Sequence, residues 1–379
     1  MSEPEEKPIC AVNFLYVRPG YIGGTVRYVL ELLAEFAESN DFDWHIFAQK
    51  GAFPKDDPRF SRLKIHETGK FRNLLCRVIY EQLFLPSIAR KYHVDLLFSP
   101  GFVAPLWGGY IRVVTIHDLY FKKYPAFVRR WQRIYWSIMV PLSLHRSTAI
   151  ITVSDTTSRD LCLYYPWISR KVERIYLGSV YGKAVASRQL LPFEAKAKEQ
   201  FCLVVGNLTP NKNIKVIVEA MAMLNEAGPG CGLKVVGSDL FGELSDYLSE
   251  AERFTFPIEM LSDVDDECLS VLYRGAVCTI QASTYEGFGL PVIEAMAHGC
   301  PVIISDADVL MEIAGDTALH FKHDRPDDLA GHIRQLIDAP ELRDSLIAKG
   351  YLNAKRFSWS RAAGKTTVLF KRLLDSDRL

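Results

Sequence analysis

The sequence has no C-x-x-C pair, although it contains eight cysteines among its 379 residues. Zinc sites and redox motifs usually place two cysteines at that short spacing, and disulfide frameworks belong to small secreted domains. We therefore expect the cysteines to be buried, reduced thiols. Proline and glycine are not in excess, and a content of 49% hydrophobic and 24% charged residues is typical of a globular protein.

Long apolar stretches are also missing. No run approaches the roughly 18 residues that a membrane-spanning helix needs. Residues 1–8, MSEPEEKP, are acidic and polar, whereas a secretory signal has a basic start followed by an apolar core. These absences predict a cytoplasmic protein.

The chain has no net charge, with 45 Lys and Arg against 45 Asp and Glu. Its halves differ, because residues 1–185 hold 25 basic and 17 acidic residues (+8) and the remainder holds 20 and 28 (−8). A neutral chain without a nucleic-acid-binding motif argues against nucleic acid as a partner. The opposite charges of the halves indicate two bodies with different partners.

Short apolar runs alternate with stretches of helical spacing, as where ICAVNFLYV (9–17) precedes GGTVRYVLELLAEFAE (23–38). This alternation predicts parallel sheets covered by helices on both faces. It restarts at FCLVVG (201–206), and the chain is too long for one ordinary core. The predicted fold class is α/β, with two doubly wound Rossmann-like domains facing a cleft.

The predicted strands are 9–17, 43–49, 94–100, 111–118 and 149–154 in the first domain and 201–206, 232–237, 277–283 and 301–306 in the second. The predicted boundaries are 1–183 for the first domain, 184–200 for a linker, 201–358 for the second domain and 359–379 for a C-terminal helix. We expect that helix to pack back on the first domain.

The loop STYEGFGLP (283–291) follows one of these strands and precedes a predicted helix, with Pro291 at the first helical position. Ligands of doubly wound sheets bind beyond the carboxyl ends of the strands. Gly287 and Gly289 permit positive φ and the close approach of a ligand. The N–H groups at the helix start favour an anion or a cluster of sugar hydroxyls.

Two glutamates flank this loop. Glu294, in the helix, can accept hydrogen bonds from a diol such as a ribose, and Glu286, on the loop, can face whatever group the anion is attached to. The alternative is a helix-capping loop with two solvated glutamates.

Two further loops lie between a strand and a helix. VVGNLTPNKNI (204–214) places Lys212 where its ammonium could meet a phosphate, although a lysine near a helix start is usually only solvated. GYIGGTVRYVL (20–30) opens a helix at Gly23 and Gly24. It lacks the complete G-x-G-x-x-G pattern and the Walker A lysine, so neither dinucleotide nor P-loop binding is indicated.

TIHDLY (115–120) places His117 and Asp118 at the end of a predicted strand. A single histidine in such a position is often a structural residue with its hydrogen bonds satisfied. A place on a cleft-facing loop makes a functional role equally plausible.

These motifs together resemble the retaining glycosyltransferases of family 4, which have the two-domain GT-B fold. YEGFGLPVIEAMAHGCPVI is similar to the signature of that family, two glutamates with seven residues between them. VGNLTPNKN, LYRGAVCTIQASTYEGFGLP, IAGDTALHF and KRFSWS follow its pattern in order, and IHDLYFKKYP and ITVSDTTSRDL resemble elements of its first domain. The likeness covers most of the chain and is strongest between residues 200 and 360.

The resemblance implies an acceptor-side first domain and a second domain that binds a nucleotide-sugar donor. Glu294 would hold the donor ribose, Glu286 would lie near the reacting carbon, and Lys212 would neutralise the diphosphate. His117, with Asp118 beside it, would contact the sugar. Backbone N–H groups of Gly287, Phe288, Gly289 and Leu290 would bind sugar hydroxyls and phosphate. The loop at Gly23 and Gly24 would approach phosphate or acceptor.

The sequence departs from this family at two places, where many relatives carry an arginine and this chain has Asn207 and Asn211. These side chains could donate only neutral hydrogen bonds, so phosphate neutralisation would rest on Lys212 and on backbone N–H groups. The expected loops also lack a D-x-D carboxylate pair, so we expect no metal and no other cofactor.

The pattern is nearest to that of bacterial polysaccharide mannosyltransferases, which implies GDP-mannose as the donor. UDP-glucose, UDP-N-acetylhexosamine and dTDP-rhamnose enzymes share the motifs and remain alternatives. An epimerase or phosphorylase on a similar scaffold is a further alternative, although no residue marks the Schiff-base lysine that pyridoxal phosphate would need. The missing arginines leave open a non-catalytic partner protein of the same fold.

Two segments of the first domain are strongly basic. Residues 59–91 hold eight Lys and Arg against two acids, and residues 122–146 hold six against none, interleaved with Trp, Tyr and long aliphatic side chains. A basic amphipathic helix can lie on an anionic bilayer. The sequence therefore suggests peripheral association with the inner face of the plasma membrane and a lipid-linked or saccharide acceptor. The alternative is an ordinary buried helix with one solvated, charged edge.

Overall fold

The computed structural model describes residues 7–377 except 21–22, 180–199, 227, 229–230, 243 and 245–255. Its contacts divide the chain into two compact units. Unit 1 comprises Met1–Leu177 together with Trp359–Leu379, and unit 2 comprises Gly178–Ser358. The predicted linker, 184–200, lies outside the described residues except for Gln200.

Unit 1 contains a seven-stranded sheet in the order β3-β2-β1-β4-β5-β6-β7, and every strand pair in it is parallel. Its strands are β1 (Ile9–Asn13), β2 (Asp43–Gln49), β3 (Lys64–Thr68), β4 (Leu96–Ser99), β5 (Ile111–Ile116), β6 (Ala149–Thr152) and β7 (Val172–Arg174). The central strands are buried on both faces, as expected of a parallel sheet between helices.

The helices of unit 1 are α1 (Gly24–Glu38), α2 (Leu74–Ile79), α3 (Leu85–Lys91), α4 (Tyr120–Lys123), α5 (Arg130–Arg146), α6 (Asp155–Tyr164) and α13 (Trp359–Asp377). A π-helical turn, Tyr80–Phe84, joins α2 to α3. Helix α13 packs on α1 and on the sheet. Its Phe370 lies 6.3 Å from the ring of Phe36 and 5.4 Å from that of Phe98.

Unit 2 contains a six-stranded parallel sheet in the order β10-β9-β8-β11-β12-β13. Its strands are β8 (Phe201–Val205), β9 (Gly232–Val236), β10 (Ile258–Leu261), β11 (Cys278–Gln281), β12 (Val302–Ser305) and β13 (Leu319–Phe321). Its described helices are α7 (Ile214–Glu226), α8 (Asp266–Gly275), α9 (Leu290–Ala297), α10 (Asp308–Ala314), α11 (Pro326–Asp338) and α12 (Pro340–Ala354). The predicted pair of doubly wound α/β domains is confirmed.

Each sheet has one point where the strand order reverses, between β1 and β4 in unit 1 and between β8 and β11 in unit 2. The loops that leave the two strands there turn to opposite faces and open a crevice at the carboxyl edge, which is the usual ligand position in this fold. The loops around Lys212 and Glu286 leave β8 and β11, so both lie at the reversal point of unit 2.

The expectation of uniformly buried cysteines is wrong in part. Cys76 and Cys268 are exposed, whereas five others, including Cys202, Cys231 and Cys278, are buried. Burial raises the pKa of the Cys300 thiol to about 12, which keeps it protonated at neutral pH. Among the described residues, no cluster of three potential metal ligands occurs and no helix is long and apolar enough to span a bilayer.

Candidate active site

The centre of the candidate site is an ion pair at the reversal point of unit 2. Lys212 ends a single 3₁₀ turn, Pro210–Lys212, that follows β8. Its ammonium contacts Glu286 Oε1, and both side chains are largely shielded, with 19% and 15% of their surfaces exposed. Lys212 therefore lies just before α7, beside the helix start where the sequence pattern placed it.

Two further residues, on β11 and on its exit loop, donate hydrogen bonds to Glu286. Gln281 Nε2 and Ser283 Oγ each donate a hydrogen bond of 2.8 Å to Glu286 Oε1. Among the described residues, none forms a hydrogen bond or ion pair with Oε2 of Glu286. One oxygen of Glu286 is thus held in place and the other is available to a ligand.

The exit loops of β8 and β11 are joined through Asn211, whose side chain is buried. Its Nδ2 donates to Tyr285 O at 2.9 Å, its Oδ1 accepts from Thr209 Oγ1 at 2.7 Å, and its carbonyl accepts from Thr284 N at 2.8 Å. Asn211 therefore fixes the distance between the lysine loop and the glutamate loop.

Asn207 also bonds within the loops, because its Oδ1 accepts from Ser238 N at 3.0 Å. That bond ties the exit loop of β8 to the exit loop of β9. Both asparagines that stand where arginines were expected hence maintain loop geometry in this structure.

Helix α9 begins at Leu290 with Gly289 as its N-cap residue, so Pro291 is the second helical residue and the predicted first position is wrong by one. Gly289 has φ of 99°, which a residue with a side chain rarely adopts. Phe288 is buried and packs edge-on against Phe357 at 5.7 Å. These contacts fix the start of α9, whose first-turn N–H groups follow the loop of Gly287 and Glu286 directly along the chain.

Glu294 is buried at 4% exposure, in the second turn of α9. Its Oε2 accepts a hydrogen bond from Tyr273 Oη at 3.2 Å, and the ring of Tyr273 stacks on His298 at 5.3 Å. The alternative of a solvated Glu294 is wrong. A buried carboxylate that a phenol helps to hold in place can act as a fixed acceptor for a hydroxyl donor.

In unit 1, His117 lies at the end of β5 and is buried. Its Nε2 donates to Pro100 O at 2.8 Å, and its ring meets Tyr28 edge-on at 4.9 Å. Asp118 is half-buried and accepts from Tyr120 N at 2.9 Å. Burial lowers the pKa of His117 to about 4, so its ring is neutral at physiological pH.

The loop before α1 also belongs to this part of unit 1. Gly23 is the N-cap residue of α1, in extended backbone, and its carbonyl accepts from Val26 N and Arg27 N. Gly24 begins the helix. Tyr28, one turn further on, connects this helix start to His117.

The neutral state of His117 predicts a pH-dependent stability. Its pKa is lower in the folded chain than the usual 6.5, so its contribution to the free energy of unfolding is complete above about pH 6.5 and is lost as the pH falls towards 4. We expect wild type to lose about 2 to 3 kcal/mol more than His117→Gln between pH 7 and 4.5. Urea unfolding at both pH values measures this difference. Equal losses in the two proteins, or titration of His117 near pH 6.5 by NMR, would contradict the assignment.

Two family profiles match the chain. Residues 22–179 match Glycosyltransferase Family 4 and residues 189–353 match Glycosyl transferases group 1. The chain belongs to the glycosyltransferases that combine these two domains.

Similar proteins agree with this assignment. The glycosyltransferase is 29% identical to O-antigen chain mannosyltransferase B of Escherichia coli, over 92% of this chain and 96% of that protein. It is 27% identical to O-antigen chain mannosyltransferase RfbU of Salmonella typhimurium, over 73% and 74% of the two chains. Its fold is similar to sucrose-phosphate synthase from Thermosynechococcus elongatus, with a TM-score of 0.75, 23% identity and coverage of 98% and 100%. The GT-B fold implied by the motifs is thus confirmed.

Sequence reasoning missed several residues of the glycosyltransferase site. Gln281 and Ser283 alternate at the end of β11, and polar residues at the end of an apolar strand were a usable signal. Tyr273 reaches Glu294 from a neighbouring helix, and no pattern within the sequence connects the two. Gly237, at the end of β9, packs directly against Gly206 at the end of β8.

Proposed function

We propose that the glycosyltransferase transfers mannose from GDP-mannose, with retention of configuration, to a hydroxyl of a lipid-linked or polysaccharide acceptor. The observation that supports a nucleotide-sugar site is the Lys212–Glu286 pair at the reversal point of unit 2, beside the start of α9. Mannose is supported by the names of the two O-antigen relatives. A reaction without a metal ion stays an expectation from the sequence, because the loops around Lys212 and Glu286 carry no D-x-D carboxylate pair.

The proposed roles follow from charge. When the bond between the sugar carbon and the diphosphate oxygen breaks, the departing diphosphate gains negative charge. The ammonium of Lys212 and the N–H groups at the start of α9 would stabilise that charge. Because Asn207 and Asn211 bond within the loops, neutralisation of the diphosphate would rest on Lys212 and on backbone N–H groups.

Glu286 would act on the sugar carbon of the donor. The sugar carbon becomes positively charged as the leaving group departs, and a carboxylate nearby stabilises it. The oxygen that Gln281 and Ser283 leave uncontacted, Oε2, is the one that would face the sugar or the incoming acceptor hydroxyl. The acceptor oxygen then bonds to the carbon, and its proton passes to the departing phosphate or to solvent.

We also expect the diphosphate of the nucleotide to compete with Glu286 for Lys212. The ammonium of Lys212 contacts Glu286 in this structure, so a diphosphate that binds there would have to share or replace that contact. Binding of the nucleotide would therefore release Glu286 towards the sugar, which couples occupation of the phosphate site to readiness of the carboxylate.

Calorimetric titration with GDP, UDP, dTDP and ADP, followed by GDP-mannose, tests the proposal. Preferential binding of GDP, retained with mannose attached, and transfer of labelled mannose to an acceptor lipid or saccharide support it. Preference for UDP or dTDP would overturn the donor assignment. Absence of binding to every nucleotide would favour a non-catalytic partner protein, and a product that stays on the nucleotide would indicate an epimerase.

Glu294 offers a separate prediction for nucleotide recognition. Glu294→Gln keeps an acceptor for Tyr273 but removes the charge that would strengthen hydrogen bonds from a ribose diol. We expect GDP affinity to fall by about 1 to 3 kcal/mol, with a smaller change in thermal stability. Tyr273→Phe is the control, because it removes the phenol hydroxyl and leaves the carboxylate. Unchanged GDP affinity in Glu294→Gln would refute the ribose role.

A further inference from the structure

Helix α2 and the π-helical turn after it face solvent with apolar side chains. Leu75, Ile79, Leu83 and Phe84 are 66%, 43%, 62% and 54% exposed. The single acidic residue between positions 69 and 94 is Glu81, and it is only 2% exposed. This is the reverse of an ordinary surface helix, which buries its apolar face and exposes its charges.

Buried contacts explain why Glu81 points inward. Its Oε1 accepts from Asn13 Nδ2 at 2.7 Å, at the end of β1, and its Oε2 lies 4.0 Å from Arg77 Nε. Burial raises the pKa of Glu81 despite this arginine. Arg77 and Glu81 make their contacts on the inner side of the segment. Leu75, Ile79 and Leu83 are spaced by four residues and form an uncharged outer face. The wider π-helical turn adds Phe84 to this face.

Helix α5 shows the same feature. Trp131, Ile134, Ile138 and Leu142 are 47%, 52%, 54% and 43% exposed, and their spacing of three, four and four residues places them along one side. The helix is fixed to unit 1 by Val140 and Leu144 on another side, which are fully buried. The structure therefore favours neither a wholly buried helix nor one with a purely charged edge.

The two helices are neighbours, since Arg77 Nη2 of α2 lies 3.5 Å from Tyr135 Oη of α5. We call the exposed set Leu75, Ile79, Leu83, Phe84, Trp131, Ile134, Ile138 and Leu142 the outer helix surface. Cations accompany it, among them the exposed Arg129, Arg130, Arg133 and Arg146. Residues 122–146 include no acid at all.

We propose that the outer helix surface docks on the interface of an anionic lipid bilayer. Apolar side chains with tryptophan and arginine, in helices too polar to span a membrane, suit the boundary between headgroups and acyl chains. The cations of residues 122–146, a segment without acids, match an anionic leaflet, where each cation adds attraction. This inference rests on the proposed function, since docking there would present unit 1 to a lipid-linked acceptor.

Co-sedimentation tests the proposal. The full chain is mixed with vesicles of phosphatidylcholine alone or of phosphatidylcholine with phosphatidylglycerol as the anionic lipid. We expect clear binding only with the anionic lipid and weaker binding as salt rises. Ile134→Ser/Ile138→Ser should lower the partition coefficient at least tenfold, and Arg130→Gln/Arg133→Gln should weaken binding at low salt. The matched control is Leu352→Ser/Val368→Ser, which removes aliphatic side chains elsewhere that are even more exposed (67% and 66%).

The same variants separate this inference from the proposed function. Ile134→Ser/Ile138→Ser should keep its thermal stability and its affinity for GDP-mannose, because these side chains lie outside the candidate site. Failure of wild type to bind anionic vesicles, or equal loss in the control variant, would overturn the docking surface and leave the sugar transfer untouched. Association of wild type into dimers that Ile134→Ser/Ile138→Ser abolishes, without vesicle binding, would assign the surface to a second copy of the chain.

Discussion

Replacing Glu286 by glutamine is expected to lower turnover by about 10²- to 10³-fold, the usual cost of removing one electrostatic stabiliser of a transition state. Glutamine has the same shape and can still accept from Gln281 and Ser283, so the loop should keep its geometry. The lost negative charge no longer stabilises the sugar carbon. GDP affinity should remain the same or rise slightly, because Lys212 is released from its ion pair.

Steady-state kinetics with GDP-mannose and calorimetry with GDP measure the two effects separately. Glu259→Gln is the control, since Glu259 is an exposed carboxylate of the same unit that pairs with Lys234 on the neighbouring strand. Turnover within threefold of wild type in Glu286→Gln would remove Glu286 from the chemistry. A parallel loss of GDP affinity would show that the substitution had disturbed the whole site.

Gly237→Ala is expected to destabilise unit 2 by about 2 to 5 kcal/mol. Gly237 has φ of 145°, which costs a residue with a side chain about 1 to 2 kcal/mol. A Cβ there would also stand 3.0 Å from Asn207 N and closer still to the carbonyl of Gly206. Backbone atoms at the ends of two paired strands have little room to move, so the crowding adds about 1 to 3 kcal/mol.

Gly242→Ala provides the matched control, because Gly242 has φ of 75° and a Cβ there would meet nothing within 4 Å. The difference between the two variants in urea unfolding isolates the contact of Gly237 with Gly206. Equal destabilisation of both would mean that the ends of β8 and β9 can move apart. In that case the position of the Lys212 loop is less fixed than the structure indicates.

The sequence located the central strands of both sheets but missed every edge strand. β3, β7, β10 and β13 lie at the four edges. Their exposure pattern is mixed, as in Lys64–Thr68 and Ile258–Leu261, where only one side contacts a neighbouring strand. Short, partly solvated strands lack the apolar run by which buried parallel strands are identified, so periodicity could not find them.

Some features of the candidate site were likewise predictable from the sequence, and others were not. Glu286, Lys212 and the glycine-rich loop were predictable because strand, loop and helix follow one another directly in the sequence. Two contacts depend on how β8, β11 and α8 come together in the fold. One joins Lys212 to Glu286, 74 positions away, and the other joins Tyr273 to Glu294. The roles of Glu286, Lys212 and Glu294 in catalysis and donor binding stay predictions.

The sequence by itself determined the alternation of strands and helices, the two-domain organisation and the loops at the strand ends, because hydrophobic periodicity and glycine positions are local properties of the chain. Only the tertiary structure decided which polar groups are paired and which apolar groups are exposed. Glu81 is buried while Leu83 beside it is not, and His117 is neutral, because burial depends on what the other strands and helices place around each side chain. No local pattern records those neighbours.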